Sequence, residues 1–203
     1  MSTAEHWRRL VIAGHDGDEQ QARSGLSATD PTARQLSLGA LARMGALTDD
    51  DVRSGITDPA ATVRRRAAML AARHPAVSVL ALLRDTDPTV VDAAAWAAGE
   101  QETVDDDVLA TLVDLATNAK DPLAREAAVA ALGAIGDERG LPAILAGCVD
   151  KPNIRRRAVL ALAPFTGPEV DAALAAALVD HDWQVRQAAE DLVPHHSAPD
   201  EFS

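Results

Sequence analysis

Asp92 and Trp96 lie one helical turn apart in residues 88–100, PTVVDAAAWAAGE, and set a carboxylate beside a large aromatic in an alanine-rich stretch. That pair could serve acid–base chemistry next to a stacking surface, or form one edge of a binding patch, where Trp and Arg are common anchors. The indole could equally fill space over small neighbours. Two arginine triplets, Arg64 to Arg66 and Arg155 to Arg157, stand out in a chain of formal charge -12. Grouped guanidiniums suit an acidic peptide or a phosphate, and they also suit salt bridges to surface acids. Asp30 with Arg34, Asp121 with Arg125 and Asp182 with Arg186 are each four residues apart, so each pair shares one helical face.

Other reactive residues are sparse. Cys148 is the only cysteine, which excludes an intrachain disulfide and suits a reducing compartment. No histidine is close to it in sequence, so it reads as a small buried hydrophobe in an apolar helix, not a catalytic thiol. His195-His196 could hold a stray metal, but the segment around them is a polar tail. No glycine-rich phosphate loop, paired-cysteine zinc pattern or nucleophile elbow is present. The expectation is no enzyme, no cofactor and no metal.

The elements that position these residues are helices. Residues 121–136, DPLAREAAVAALGAIG, carry signals at both ends. Asp121 suits an N-cap and Pro122 the first helical position. Gly133 and Gly136 are candidate stops, and Ala124, Ala127, Ala128, Ala131, Leu132 and Ile135 form one apolar stripe. Apolar residues make up 47% of the 203, but aromatics only 2%, so the core must be Ala, Leu and Val. The absence of Tyr, with Lys only at 120 and 151, reads as a GC-rich coding bias. The negative charge speaks for solubility and against non-specific nucleic-acid binding. No apolar run is long enough to span a membrane, and the N-terminus lacks a signal-peptide pattern. The location expected is cytoplasmic.

The same helical sentence recurs. Residues 3–14 predict a capping helix closed by Gly14, within an N-terminal cap of residues 1–15. A shorter helix followed by a Pro-started one then repeats through 16–45, 46–74, 75–101, 102–136, 137–165 and 166–193, with a polar, frayed tail over 194–203. The position that is usually arginine falls at Arg34, Arg64, Val91, Arg125, Arg155 and Arg186, spaced 27 to 34 residues apart. A two-helix unit of about thirty residues is the mark of a solenoid, since no unit can bury its apolar face alone. The fold expected is all-α, a right-handed α-α superhelix of about six repeats. The first and third repeats are the least consensus-like.

The pattern D-P-x-(V/A)-R-x-x-A-A-x-A-L-G resembles HEAT repeats. With Gly133, Gly136 and Asp137 after the second helix, it resembles the HEAT-like repeats of phycobilisome lyases. The resemblance implies that Asp30, Arg34, Arg64, Asp121, Arg125, Arg155, Asp182 and Arg186 belong to a structural ladder. In that ladder each Asp caps its helix and each Arg bridges to the neighbouring repeat, with Val91 a break. It also implies that second helices line a concave face.

On those helices, positions two and six beyond the first apolar residue (Ala33, Val63, Val90, Ala124, Ile154 and Val185) lie off the stripe. The row runs Gln35 and Gly39, Arg65 and Met69, Asp92 and Trp96, Glu126 and Ala130, Arg156 and Leu160, Gln187 and Asp191. Stacking asks nothing particular of it, so a ligand preference can be written there. The recognition patch expected is Arg65, Met69, Asp92, Trp96, Arg156 and Leu160. Trp7 is expected to anchor the N-terminal cap and Trp183 to pack on the previous repeat. The functional expectation is a monomeric interaction module or scaffold that binds a protein or peptide, without nucleic acid or membrane. The alternatives implied by the family are a DNA-alkylation-glycosylase-like enzyme, using Asp92 and Trp96, and a chromophore lyase or chaperone-like relative.

Overall fold

The computed structural model describes residues 2–196, which divide into two compact units, residues 2–97 and 98–196. The first holds α1 (Thr3–Asp16), α2 (Glu19–Ser24), α3 (Pro31–Arg43), α4 (Asp49–Ile56), α5 (Ala61–Ala71), α6 (Leu80–Leu83) and most of α7 (Pro88–Gly99). The second holds α8 (Asp106–Asn118), α9 (Pro122–Ile135), α10 (Leu141–Gly147), α11 (Pro152–Ala161), α12 (Pro168–Ala177) and α13 (Trp183–His196). A 3₁₀ turn, Glu138–Gly140, precedes α10. All these elements are helical.

Each repeat pairs a first helix with a second, as α2 does with α3, α4 with α5, α8 with α9, α10 with α11 and α12 with α13. Second helices then pack on second helices, α3 on α5 in the first unit, α9 on α11 and α11 on α13 in the second. The first helix α8 packs in the same way on α10. This i, i+2 stacking is what a helix-pair solenoid requires, because each apolar face is buried only by its neighbour. The N-terminal helix α1 packs on α3 and so occupies the place of a second helix ahead of the first repeat.

The expected stripe is the core. Ala33, Val63, Val90, Ala124, Ile154 and Val185 are all buried, and so are most positions three, four, seven and eight residues later. Small side chains let the second helices come close. A Cβ placed on Gly133 would stand 2.5 Å from Ala161 Cβ, and one on Gly14 would stand 2.8 Å from Ala40 Cα. Both glycines were expected to stop their helices. They lie inside them instead, and the stops fall at Gly17 (φ 76°) and Gly136 (φ 69°), whose left-handed backbone closes α1 and α9. Two glycines three residues apart look alike in sequence, and the neighbouring helix decides which one must be small and which must turn.

Helix starts follow side-chain chemistry. Asp30 and Asp121 cap α3 and α9, each accepting from the backbone N–H two residues on. Thr48 and Asp51 form a reciprocal capping box on α4. Two expectations change. The first helix of repeat three, expected over 76–83, is a single turn, because Pro75 and the β-branched Val77 and Val79 hold the chain in turns while burying both valines. Helix α13 runs past Pro194 to His196, three residues into the segment expected as tail; residues 197–203 lie outside those described.

Candidate binding surface

Four of the arginines near the second-helix starts hold the loops on both sides of their helix. Arg34 donates from Nε and Nη2 to the Asp58 carboxylate, both at 2.7 Å, and from Nη1 to the Ala28 and Thr29 carbonyls. Arg64 repeats this on Asp85 and on the Asp58 and Pro59 carbonyls. In the second unit Arg125 grips Asp150, and Arg155 grips Asp180. Arg186 donates to the Asp180 and His181 carbonyls. Fork-to-fork pairing of guanidinium and carboxylate fixes orientation as well as energy, so each rung sets the register of the next repeat.

Arg34, Arg64, Arg125 and Arg155 therefore bridge as expected, Arg186 holds only its own loop, and the carboxylates that close the rungs are not those of the i, i+4 pairs. Asp30, Asp121 and Asp182 cap their own helices. The rungs close on Asp58, Asp85, Asp150 and Asp180, each of which also accepts a loop N–H from its own turn. The signal was present as an acid one to three residues ahead of the proline position, in Asp58-Pro59, Asp85-Thr86-Asp87, Asp150-Lys151 and Asp180-His181-Asp182. The arginine hydrogen bond holds all four carboxylates below the ordinary range. Trp7 serves Asp30 in a similar way: its indole N–H donates to that carboxylate and lowers it too. Trp7 is thus a polar anchor of the cap as well as an apolar one.

With stacking satisfied by stripe and ladder, the row off the stripe is left to solvent. In the first unit Arg65, Met69 and Trp96 are exposed, Trp96 by 47%, and Asp92 is half-buried. In the second unit Arg156 is exposed and Leu160 half-buried. Arg156 and Leu160 come together with Gln187 and Asp191 around a cavity of about 250 Å³ between α11 and α13. Met69 lines a larger groove, about 480 Å³, between α3 and α5, with Gly39, Arg43 and Arg66. Glu126 is drawn to Asn153, at 2.6 Å, and to Arg157, at 3.9 Å.

Trp183 is a correction. Expected to pack on the previous repeat, it is 65% exposed and lines the same cavity as Arg156 and Leu160. The signal was its place: it holds the first helical position that proline fills in four of the five preceding second helices, where a side chain projects ahead of the stacked stripe. Cys148 is half-buried at the end of α10, and burial pushes its thiol up to about 11, away from nucleophile chemistry. No helix among the described residues is long and apolar enough to cross a membrane.

Comparison with known proteins agrees with this geometry. HEAT repeats match residues 76–163, and the PBS lyase HEAT-like repeat matches residues 154–180. Among solved structures, an engineered protein is 19% identical with a TM-score of 0.58, covering 87% of this chain and 95% of its own. A designed armadillo repeat protein is 16% identical with a TM-score of 0.59, over 86% and 98%. A second engineered protein is 20% identical with a TM-score of 0.53, over 86% of this chain and 57% of its own. Likeness at these identities concerns the fold alone. A comparison with curated proteins gives no match. From the repeat register, the ladder and these matches, the chain is an all-α helix-pair repeat protein of the HEAT and PBS-lyase HEAT-like type.

Proposed function

We propose that the chain is a non-enzymatic, cytoplasmic and monomeric interaction module that binds a protein or peptide through the off-stripe row of its second helices. HEAT-type solenoids offer extended surfaces that suit such scaffolds. The observation that carries the reading is the division of labour along each second helix. Stripe and ladder residues are buried or paired, while Arg65, Met69, Trp96 and Arg156 face solvent with no stacking role. An exposed Trp and an exposed Met are poor solubilising residues and good anchors. Trp183 extends the row in the second unit.

The test is copurification from native cytosol after nuclease treatment. The full chain is compared with a variant carrying Trp96→Ala and Arg156→Ala, one change in each unit, and retained proteins are identified by mass spectrometry. The reading predicts a protein retained by the parent and lost from the folded variant, with little loss as salt is raised. Identical retention by both would remove the row from consideration. Recovery of duplex nucleic acid that falls steeply with salt would favour a DNA-acting enzyme instead.

A further inference from the structure

The groove between α3 and α5 holds a charge that the protein itself does not balance. Arg66 is half-buried there, and neither it nor Arg43 nor Arg73, which line the same groove, has an ion-pair or hydrogen-bond partner among the described residues. The acid in the vicinity, Asp49, is engaged by His74 at 2.6 Å and lies 4.0 Å from Arg53. Burial, and then the neighbouring Arg43, push the Arg66 guanidinium pKa down. In a chain of charge -12, three arginines without acids in one groove run against the composition. An unpaired charge removed from water is costly unless a counter-charge arrives.

The repeat offers an internal control. Aligning Arg64 with Arg155 places Arg66 opposite Arg157, whose guanidinium lies 3.9 Å from Glu126. The residue matching Glu126 in the first repeat is Gln35, so the acid is missing. The residue matching Ala130 is Gly39, a residue that weakens a helix interior. A Cβ there would stand 2.9 Å from Arg66 Nη2, so the glycine leaves room for the guanidinium over α3. Arg43 and Arg73 stand where the second unit has Ala134 and Pro164. The floor between the cations is apolar, made of Met69, Leu70 and Leu47.

Resting on the interaction reading above, we infer that this groove seats an acidic segment of a protein partner, with a carboxylate in the Arg66 fork and an apolar side chain against Met69 and Leu70. Guanidinium and carboxylate match as two parallel hydrogen bonds, and about 480 Å³ accommodates a few side chains. Arg43 and Arg73 add attraction for further acids on the same segment.

The test is selection of a phage-displayed random decapeptide library on the full chain, followed by fluorescence anisotropy with the best synthetic peptide. Four proteins are compared: the parent, Arg66→Gln, Gln35→Glu, and the exposed control Arg8→Gln. The inference predicts peptides rich in Asp or Glu next to Leu, Ile, Met or Phe. It predicts at least tenfold weaker binding to Arg66→Gln and Gln35→Glu, no change for Arg8→Gln, and the same loss when the peptide's acids become amides. Gln35→Glu, which supplies from within the acid that the matching repeat already has, should melt at or above the parent. Arg66→Gln should melt no lower than the parent, so weak binding cannot be blamed on unfolding. Selection of peptides without acids, equal binding by Arg66→Gln, or failure to select any peptide overturns the inference. A lower melting temperature for Arg66→Gln does so as well, since it would make Arg66 structural. In each case the copurified partner still decides the interaction reading on its own.

Discussion

Removing one ladder carboxylate should cost the first unit far more than removing an exposed acid. Asp58→Ala deletes two hydrogen bonds from Arg34 at 2.7 Å and the 2.8 Å bond from Ala60 N–H. It leaves the guanidinium, only 15% exposed, with two carbonyls and only the weaker attraction of Asp30. An exposed ion pair contributes about 0–1 kcal/mol. Breaking a fully buried pair costs about 3–5 kcal/mol. Side chains 15% and 9% exposed lie nearer the buried limit, but the retained carbonyl bonds soften the loss, so about 2–3 kcal/mol is expected. For a domain of this size that is roughly 5–10 °C in Tm. Asp50→Ala is the control: its carboxylate is 92% exposed and pairs with Arg53 at 2.8 Å, and its loss should cost no more than about 1 kcal/mol. Urea and thermal denaturation followed by circular dichroism, with Arg34→Met completing a double-mutant cycle, measure both the cost and the coupling. An Asp58→Ala variant as stable as Asp50→Ala, with no coupling to Arg34, would refute the view that the ladder ties repeats together.

Gly133→Leu should destabilise by about 1–3 kcal/mol despite a better helix propensity, since its Cβ would meet Ala161 at 2.5 Å; an unchanged urea midpoint would show that α9 and α11 can part at no cost. Trp96→Ala should change stability by less than about 1 kcal/mol and keep the helical signal, because the indole is 47% exposed; loss of folding would make it a core residue. Acid should weaken the fold through the rungs. Asp58, Asp85, Asp150 and Asp180 are held below the ordinary carboxylate value, so their stabilisation is complete above about pH 4. It is lost as pH falls through the depressed folded values. Asp58→Asn should flatten that part of the pH–stability curve, which denaturation at pH 2 to 5 measures.

The repeat itself was legible because it writes the same chemistry many times. The Asp-Pro starts, the alanine stripe and the recurrent arginine together mark the second helices, and a miss in one copy is corrected by the others. What failed was specific to single copies or depended on a neighbour in space. Gly14 and Gly133 read as stops, since sequence does not show that Ala40 and Ala161 press against them. The rung acceptors went unidentified, because a helical face puts Asp121 beside Arg125, whereas the guanidinium reaches forward to a loop about twenty-five residues on. Trp183 was read as packed by its hydrophobicity, although its place ahead of the stripe leaves it outside the stack. The arginine triplets looked equivalent, and only the positions of Gln35 and Glu126 separate a balanced Arg157 from an unbalanced Arg66.

The central claim is that the second helices carry recognition while stripe and ladder carry the fold. Hydrogen–deuterium exchange of the full chain, with and without the copurified partner, tests it most directly. The account predicts added protection on second helices, above all α5, α7 and α11, with the first helices α4, α8 and α12 unchanged. Protection confined to the first helices would contradict it.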